Sequence, residues 1–395
     1  MTDPLGQSQV IPYLIGLSKS GYKITLLSCE KKEKYKQQGQ YIHSLLKENN
    51  IQWEFIFFTS SPPILAKYYD LYQLKKKAIQ LHREQKYSLV HCRSYISAAV
   101  GLILKQEFGV KFLFDIRGFW VDERVDGGLW NLQNPFYKFA YKKYKKKEAA
   151  YVSNADTIVS LTENGKNEME TWSSYKNAGI DVIPCCADYD LFSLQTESES
   201  IEAKKKLGFA KDDFVLSYLG SIGTWYMLNE MLDFYKALKS KKQNTRFLFV
   251  SNGEEQTIRD AAKNKGIAGE DIKIINAKRN DVPGFIKAST ISLSFIKPCY
   301  SKRSSSPTKL GELLAMGIPV ISNTGIGDMD EIIKYTQGGL LINEFSNDCY
   351  INAINNLDNY FSNYNASAIR ERSGKYYDLR SGIEKYKSIY DRLLM

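Results

Sequence analysis

Histidine is scarce in this chain: three in 395 residues. Chemistry that needs clustered imidazoles therefore has little to draw on. No apolar run approaches the ~20 residues of a membrane-spanning helix. The N-terminus is polar and turn-like and does not read as a signal peptide. Six cysteines lie at 29, 92, 185, 186, 299 and 349, and none has the CxxC spacing of a zinc site. Cys185 and Cys186 are adjacent, a geometry poorly suited to a disulfide. No Asp-x-Asp metal motif presents itself. These absences predict a reduced, cytosolic protein. No internal sequence repeat is visible.

Apolar residues make up 43% of the chain, enough for real cores, and the length suits two domains. The net charge is +10. That excess fits an anionic partner, and equally a set of solvated lysines.

Short β-rich runs alternate with helical stretches along most of the sequence. The first series is KITLLS (23–28), WEFIFF (53–58), SLVHCR (88–93), KFLFDI (111–116), DTIVSL (156–161) and DVIPC (181–185). A polar stretch, SLQTESESIEAKKK (193–206), separates it from the second. That series is FVLSYLG (214–220), RFLFVS (246–251), IKIINA (272–277), ISLSFI (291–296), IPVISN (318–323) and GLLIN (339–343). Such alternation predicts an α/β fold of two Rossmann-like domains, with ligands at the carboxyl ends of parallel strands. The last ~45 residues read as helical.

SSSPTKLGELLAMGIPV (304–320) carries the most chemistry. A Ser-rich loop (Ser304, Ser305, Ser306) follows a strand, with Pro307 and Thr308 at a helix start. Free backbone N–H groups and a positive helix end suit a phosphate. Lys309 adds a cation. Glu312, one turn in, is a carboxylate able to accept both hydroxyls of a ribose. An ordinary surface loop and solvated helix would carry the same residues.

E-L-L-A-M-G-I-P-V (312–320) resembles the nucleotide-sugar segment of retaining glycosyltransferases of family 4, which have the GT-B fold. SYLGS (217–221) is similar to the family's first strand and glycine turn, which implies donor contacts at Gly220 and Ser221. VIPCCADYDLF (182–192) is similar to its hinge. The resemblance covers essentially the whole chain and departs from the family pattern at two points. Ser304 stands where many members have a first glutamate. The turn GSIGTWYMLNE lacks the Arg and Lys that grip the diphosphate elsewhere, so Lys309 is the favoured replacement, with Lys302 and Arg303 behind it.

The resemblance implies an N-terminal acceptor domain (1–185) and a C-terminal nucleotide-sugar domain (186–375) facing it across a cleft. A helix (376–395) would cross back. It implies a nucleotide diphospho-sugar donor, UDP- or GDP-linked, no further cofactor, and a glycan or lipid-linked acceptor. Bacterial cell-surface polysaccharide synthesis would be the setting. A nucleotide-sugar epimerase or hydrolase, or a sugar-binding scaffold without activity, are the alternatives.

KFLFDIRGFWVDERVDGGLW (111–130) is the second candidate region. Charged and aromatic residues after a strand suit a sugar site, with Trp120 as a stacking surface. Family members often place a His-Asp pair near the reacting carbon here. By position, Asp115 or Arg117 takes that catalytic place. Arg93, in HCRSY (91–95), is a candidate for acceptor or phosphate contact. NPFYKFAYKKYKKKEAAYV (134–152) has six lysines between 138 and 147 and an apolar stripe of Phe136, Phe139, Ala140, Tyr144 and Ala150. It reads as a helix lying on anionic lipid, or as a solvated face with its stripe in the core. No nucleic-acid reader motif accompanies the charge.

DPLGQSQ (3–9) reads as a glycine turn opening a helix, with Gly6 and Gln7 facing phosphate or acceptor. By the family match such a loop follows a first strand, so that strand is expected to be missing from the front.

Overall fold

The computed structural model describes residues 1–395, apart from the side chains of residues 63 and 64. All twelve expected strands form: β1 (Ile24–Glu30), β2 (Ile51–Phe57), β3 (Leu89–Arg93), β4 (Lys111–Asp115), β5 (Thr157–Ser160), β6 (Ile180–Val182), β7 (Phe214–Leu219), β8 (Thr245–Val250), β9 (Ile272–Ile275), β10 (Ile291–Ser294), β11 (Val320–Asn323) and β12 (Gly339–Ile342). The chain divides into two compact units, residues 1–184 with 379–395, and residues 185–378.

In the second unit six parallel strands run in the order β12-β11-β10-β7-β8-β9. Both faces are buried, as parallel sheets require. Val215 and Leu219 of β7 enter one hydrophobic core with Leu248 and Val250 of β8. Leu216 and Tyr218 enter the opposite core with Phe247 and Phe249. Alternate residues along a strand point to opposite faces, so a continuous apolar run serves both layers. The chain winds outward from β7 to β9, then returns to the other side of β7 with β10. The switch point of the sheet therefore lies between β7 and β10, the position at which open α/β sheets take their ligands.

In the first unit β3, β4, β5 and β6 pair in sequence order, all parallel. β1 and β2 form a separate parallel pair. That pair packs through Ile51 and Trp53 on Ile11, Ile42 and Leu46 of two helices. The buried Glu30 carboxylate at the end of β1 takes bonds from the Met1 ammonium, the Thr2 amide (3.0 Å), the Thr2 hydroxyl (2.7 Å) and the Ser28 hydroxyl (2.6 Å). These bonds hold the carboxyl below its usual range despite its burial. The helix Leu379–Leu394 belongs to this unit and packs against the helix Ile11–Lys19.

The reading of the N-terminal stretch is corrected. DPLGQSQ is not a loop, because Pro4 starts a helix at the first position it favours, and Pro4–Gln9 is helical. Gly6 lies inside that helix, where a Cβ would come 2.7 Å from the Met1 Cα. Its use is close packing. The Gln7 amide donates to the Gln38 side chain (2.5 Å) and to the Thr2 carbonyl (3.3 Å), so it is engaged within the fold. The polar stretch 193–206 contains a helix, Glu197–Leu207, closed by a capping box between Thr196 and Glu199. The region after β4 is shortened by the helix Trp120–Asp126.

Gly339 opens β12 at φ +149°, and a Cβ there would lie 1.8 Å from the Val320 carbonyl oxygen. Gly339→Ala is expected to separate β12 from β11 and to destabilise the fold by about 2–3 kcal/mol or more. Thermal unfolding should show a midpoint lowered by roughly 5–10 °C. An unchanged midpoint would refute the close approach.

Candidate functional site

Gly220 follows β7 with φ +124°, a conformation that L-residues rarely adopt. Its amide donates to the Val250 carbonyl at the end of β8 (2.9 Å). The missing side chain is used by Lys309. A Cβ on Gly220 would sit 2.5 Å from Lys309 Nζ. The lysine comes from the second position of the helix Thr308–Ala315, which follows β10. Residues on both sides of the switch point thus meet.

The Lys309 ammonium is held by aromatic groups. Nζ donates to the Tyr218 hydroxyl at 2.9 Å, and that hydroxyl donates to the Ser221 carbonyl at 2.7 Å. Nζ also lies 3.7 Å from the Tyr226 ring centroid and 4.5 Å from that of Tyr218. Ring faces attract a cation but do not neutralise it. Burial lowers the Lys309 pKa to about 7, against the pull of Glu312 and Glu254.

Glu312 lies one turn further along the same helix and is 7% exposed. Arg279 NH1 donates to its Oε1 at 2.7 Å. Burial raises the Glu312 carboxyl, partly opposed by Arg279 and Lys309. Arg279 sits in the turn after β9, with its guanidinium 5.4 Å from the Phe192 ring. Glu254 lies beyond β8 and accepts from the Ile222 amide (2.5 Å) and the Ser251 hydroxyl (2.9 Å), pinning the glycine turn.

Sequence reasoning missed Arg279, Glu254 and the two tyrosines. A basic KRN after IKIINA and an acidic GEE after RFLFVS both stood at strand ends, the signal that could have found them.

The serines take up other tasks. Tyr300–Ser304 is a short 3-10 helix rather than open loop, and the buried Ser304 hydroxyl donates to the Ser301 carbonyl (3.0 Å). The Ser306 hydroxyl accepts from the Cys185 amide (3.2 Å). Ser305 is half-buried, and its amide donates to the Lys302 carbonyl (3.2 Å). Pro307 is the N-cap, so helical geometry begins at Thr308, and no side chain caps this end. Lys302 lies 3.8 Å from the Trp225 ring centroid.

The first unit holds a second cluster at the carboxyl ends of β3 and β4. Asp115 is 1% exposed. Around it stand His91 Nε2 (3.6 Å), Arg93 NH1 (3.5 Å), Arg117 NH1 (3.7 Å) and the Tyr386 hydroxyl, which donates at 3.0 Å. The Arg117 and Arg93 charges and the His91 contact outweigh burial and hold its carboxyl at about 2. Arg117 has φ +57° and Gly118 φ +110°, a left-handed pair that turns the guanidinium back onto Asp115. Enclosure on this scale makes Asp115 an anchor for the two arginines, with no open face for a substrate. His91 Nδ1 is 2.8 Å from the Tyr390 hydroxyl.

Trp120 does not stand open as a stacking surface. Tyr95, Trp130 and Tyr144 surround its ring at 5.3–6.0 Å, and the Arg124 guanidinium lies 4.7 Å from its centroid. Asp122 is spent on the Tyr141 hydroxyl (2.8 Å) and Lys145 (3.1 Å).

Two family models match the chain. The model described as glycosyl transferases group 1 matches residues 199–360, and glycosyltransferase family 4 matches residues 10–191. No curated protein matches the sequence. Among solved structures, sucrose-phosphate synthase from Thermosynechococcus elongatus superposes with a TM-score of 0.68 at 15% identity, over 94% of this chain and 99% of that one. Anabaena HepE, solved with UDP and glucose, gives 0.67 at 14% identity, over 94% and 100%. The lipopolysaccharide outer core galactosyltransferase WaaB gives 0.56 at 15%, over 88% and 86%. At these identities the likeness is one of fold.

The site predicts a pH signature. Lys309 is the group whose folded pKa, about 7, lies below its unfolded value of ~10.4. Between those values the unfolded chain binds the extra proton, so this lysine's contribution to stability rises with pH. Glu312, Glu254, Tyr218 and Tyr226 are the ionisable groups facing it. Urea midpoints at about pH 7 and pH 9 should rise less in Lys309→Met than in the native chain. Parallel midpoints would show that Lys309 is not desolvated.

Proposed function

As the chain belongs to the group 1 glycosyltransferases of family 4, with the GT-B fold, we propose that it moves a sugar from a nucleotide diphospho-sugar to a glycan or lipid-linked acceptor, with retention and without a metal. The observation that carries this reading is the Lys309 ammonium lodged against the bare backbone of Gly220 at the switch point. It supplies a cation beside the glycine turn, whose own sequence, GSIGTWYMLNE, has none.

Placed there, the ribose hydroxyls meet Glu312, whose carboxylate Arg279 orients. The diphosphate meets Lys309, the Gly220 turn and the uncapped start of the helix at Thr308. The sugar–phosphate C–O bond breaks as negative charge grows on the leaving diphosphate. A fixed cation and N–H dipoles stabilise that charge without reorganising. The acceptor hydroxyl attacks C1 from the face the diphosphate leaves, and its proton passes to a departing phosphate oxygen. A lysine near pKa 7 is ready for this role, because an arriving diphosphate favours its protonated form. Arg93 and Arg117, held by Asp115, are proposed to bind the acceptor. Assembly of a bacterial cell-surface polysaccharide is the proposed setting, with the chain at the inner face of an anionic membrane. HepE, solved with UDP and glucose, and the galactosyltransferase WaaB support the donor class and the setting by analogy of fold.

Titration calorimetry with UDP and GDP tests the donor site. Glu312→Ala should weaken the better nucleotide by about 1–3 kcal/mol, the worth of charged hydrogen bonds to the ribose. Unchanged affinity in a folded variant would sink the assignment. A panel of nucleotide sugars then separates transfer or donor hydrolysis from binding without turnover, which would favour a scaffold.

A further inference from the structure

Two helices of the first unit expose large apolar side chains beside lysines. On the helix Pro63–Gln85, Leu65, Tyr68, Tyr69 and Tyr72 are all more than half exposed. Their spacing, i, i+3, i+4 and i+7, puts them on one face. On the helix Pro135–Asn154, Phe136 and Phe139 are 60% and 67% exposed. The stripe expected to run from Phe136 to Ala150 is therefore split: Tyr144 turns inward onto Trp120 and Trp130, while both phenylalanines face out. The two helices meet where Lys143 Nζ donates to the Tyr68 hydroxyl (3.3 Å) and lies 5.6 Å from its ring centroid.

The charge on this surface has one sign. Lys76, Lys138, Lys142, Lys143 and Lys146 are exposed. No acidic residue occurs between 131 and 147. Between 62 and 77 the single acid is Asp70, which is buried and accepts from the Thr59 amide (3.0 Å). Among the described residues, none of these five lysines makes a salt bridge. Exposed tyrosines and phenylalanines beside unpaired lysines match the headgroup layer of a bilayer, where rings sit at the interface and ammonium groups meet lipid phosphates. A second copy of the same surface would bring like charges together. Among the described residues no helix is long and apolar enough to cross a membrane, so the contact is one of lying on the surface.

We propose that Pro63–Gln85 and Pro135–Asn154 together form a two-helix docking surface for an anionic phospholipid bilayer, with the tyrosines of the first contributing as directly as the lysines of the second. This deepens the membrane contact proposed above and rests on that reading for its use.

The test sediments the full chain with vesicles of phosphatidylcholine alone, or with about one-third phosphatidylglycerol. Binding is expected to the anionic vesicles, falling as salt shortens the screening length. Replacing Lys142, Lys143 and Lys146 together by Gln should cut partitioning about a hundredfold, at about fivefold per lysine. Replacing Tyr68, Tyr69 and Tyr72 together by Ser should cut it roughly tenfold with every lysine in place. A control removing Lys205, Lys211 and Lys263, exposed on the other unit, should leave it unchanged. Equal binding to neutral vesicles, or full binding by the tyrosine variant, would overturn the proposal. So would self-association, or capture of a single-stranded oligonucleotide in place of vesicles. UDP titration of each variant keeps the two readings apart. Lost vesicle binding with intact UDP binding confirms the surface; no vesicle binding by the native chain defeats it and leaves the donor site standing.

Discussion

The second unit turns on a lysine ammonium pressed against a backbone that has no side chain. Lys309 reaches Gly220 only because the glycine leaves the space and takes a φ of +124°. One residue follows β7 and the other follows β10, so their meeting joins the two halves of the sheet at its switch point. Tyr218 lies on β7 itself and links the ammonium to the Ser221 carbonyl. The glycine turn is then pinned from β8 by Glu254. Groups from the ends of β7, β8 and β10 converge on one charge, and its burial leaves it poised between protonation states. Desolvation makes an isolated ammonium costly, and an anion is the partner that relieves the cost.

The first unit uses charge the other way round. Asp115 is the buried anion, surrounded by cations that it holds in place. Its low pKa follows from that enclosure, and a carboxylate so held orients its neighbours. Tyr386 adds a bond from the C-terminal helix, which also contributes Tyr390 beside His91. A residue conspicuous in sequence as a strand-end acid thus serves as an organiser of Arg93 and Arg117.

The lysines divide into two populations with different physics. Lys145 turns inward to Asp122 and Glu148, and Lys309 is enclosed by tyrosines. Lys138, Lys142, Lys143 and Lys146 stand outside, and the one carboxylate close to them in sequence, Glu148, is buried and turned to Lys145. The net charge of the chain is thus partly a surface property concentrated on two helices, which a single sum over residues does not reveal.

Periodicity alone determined where the twelve strands lie, because runs buried on both faces must be continuously apolar, and their alternation with helices determined the parallel sheets. E-L-L-A-M-G-I-P-V and SYLGS stood out by their likeness to a family's donor segment and glycine turn, and Lys309 and Glu312 by their spacing on one helix. What the sequence did not carry was which distant groups those residues meet. Arg279 lies 33 positions from Glu312, and Glu254 32 positions from Ile222, so only sheet order brings either pair together. The same limit hid the enclosure of Asp115 and of Trp120, since a loop's composition does not state whether its side chains face outward. It also hid the tyrosines of Pro63–Gln85, whose exposure depends on which face of the helix the core takes. Local pattern decides the elements because backbone and burial constraints act over a few residues. The tertiary structure alone decides the site, because desolvation and ion pairing act between residues that only the fold makes neighbours.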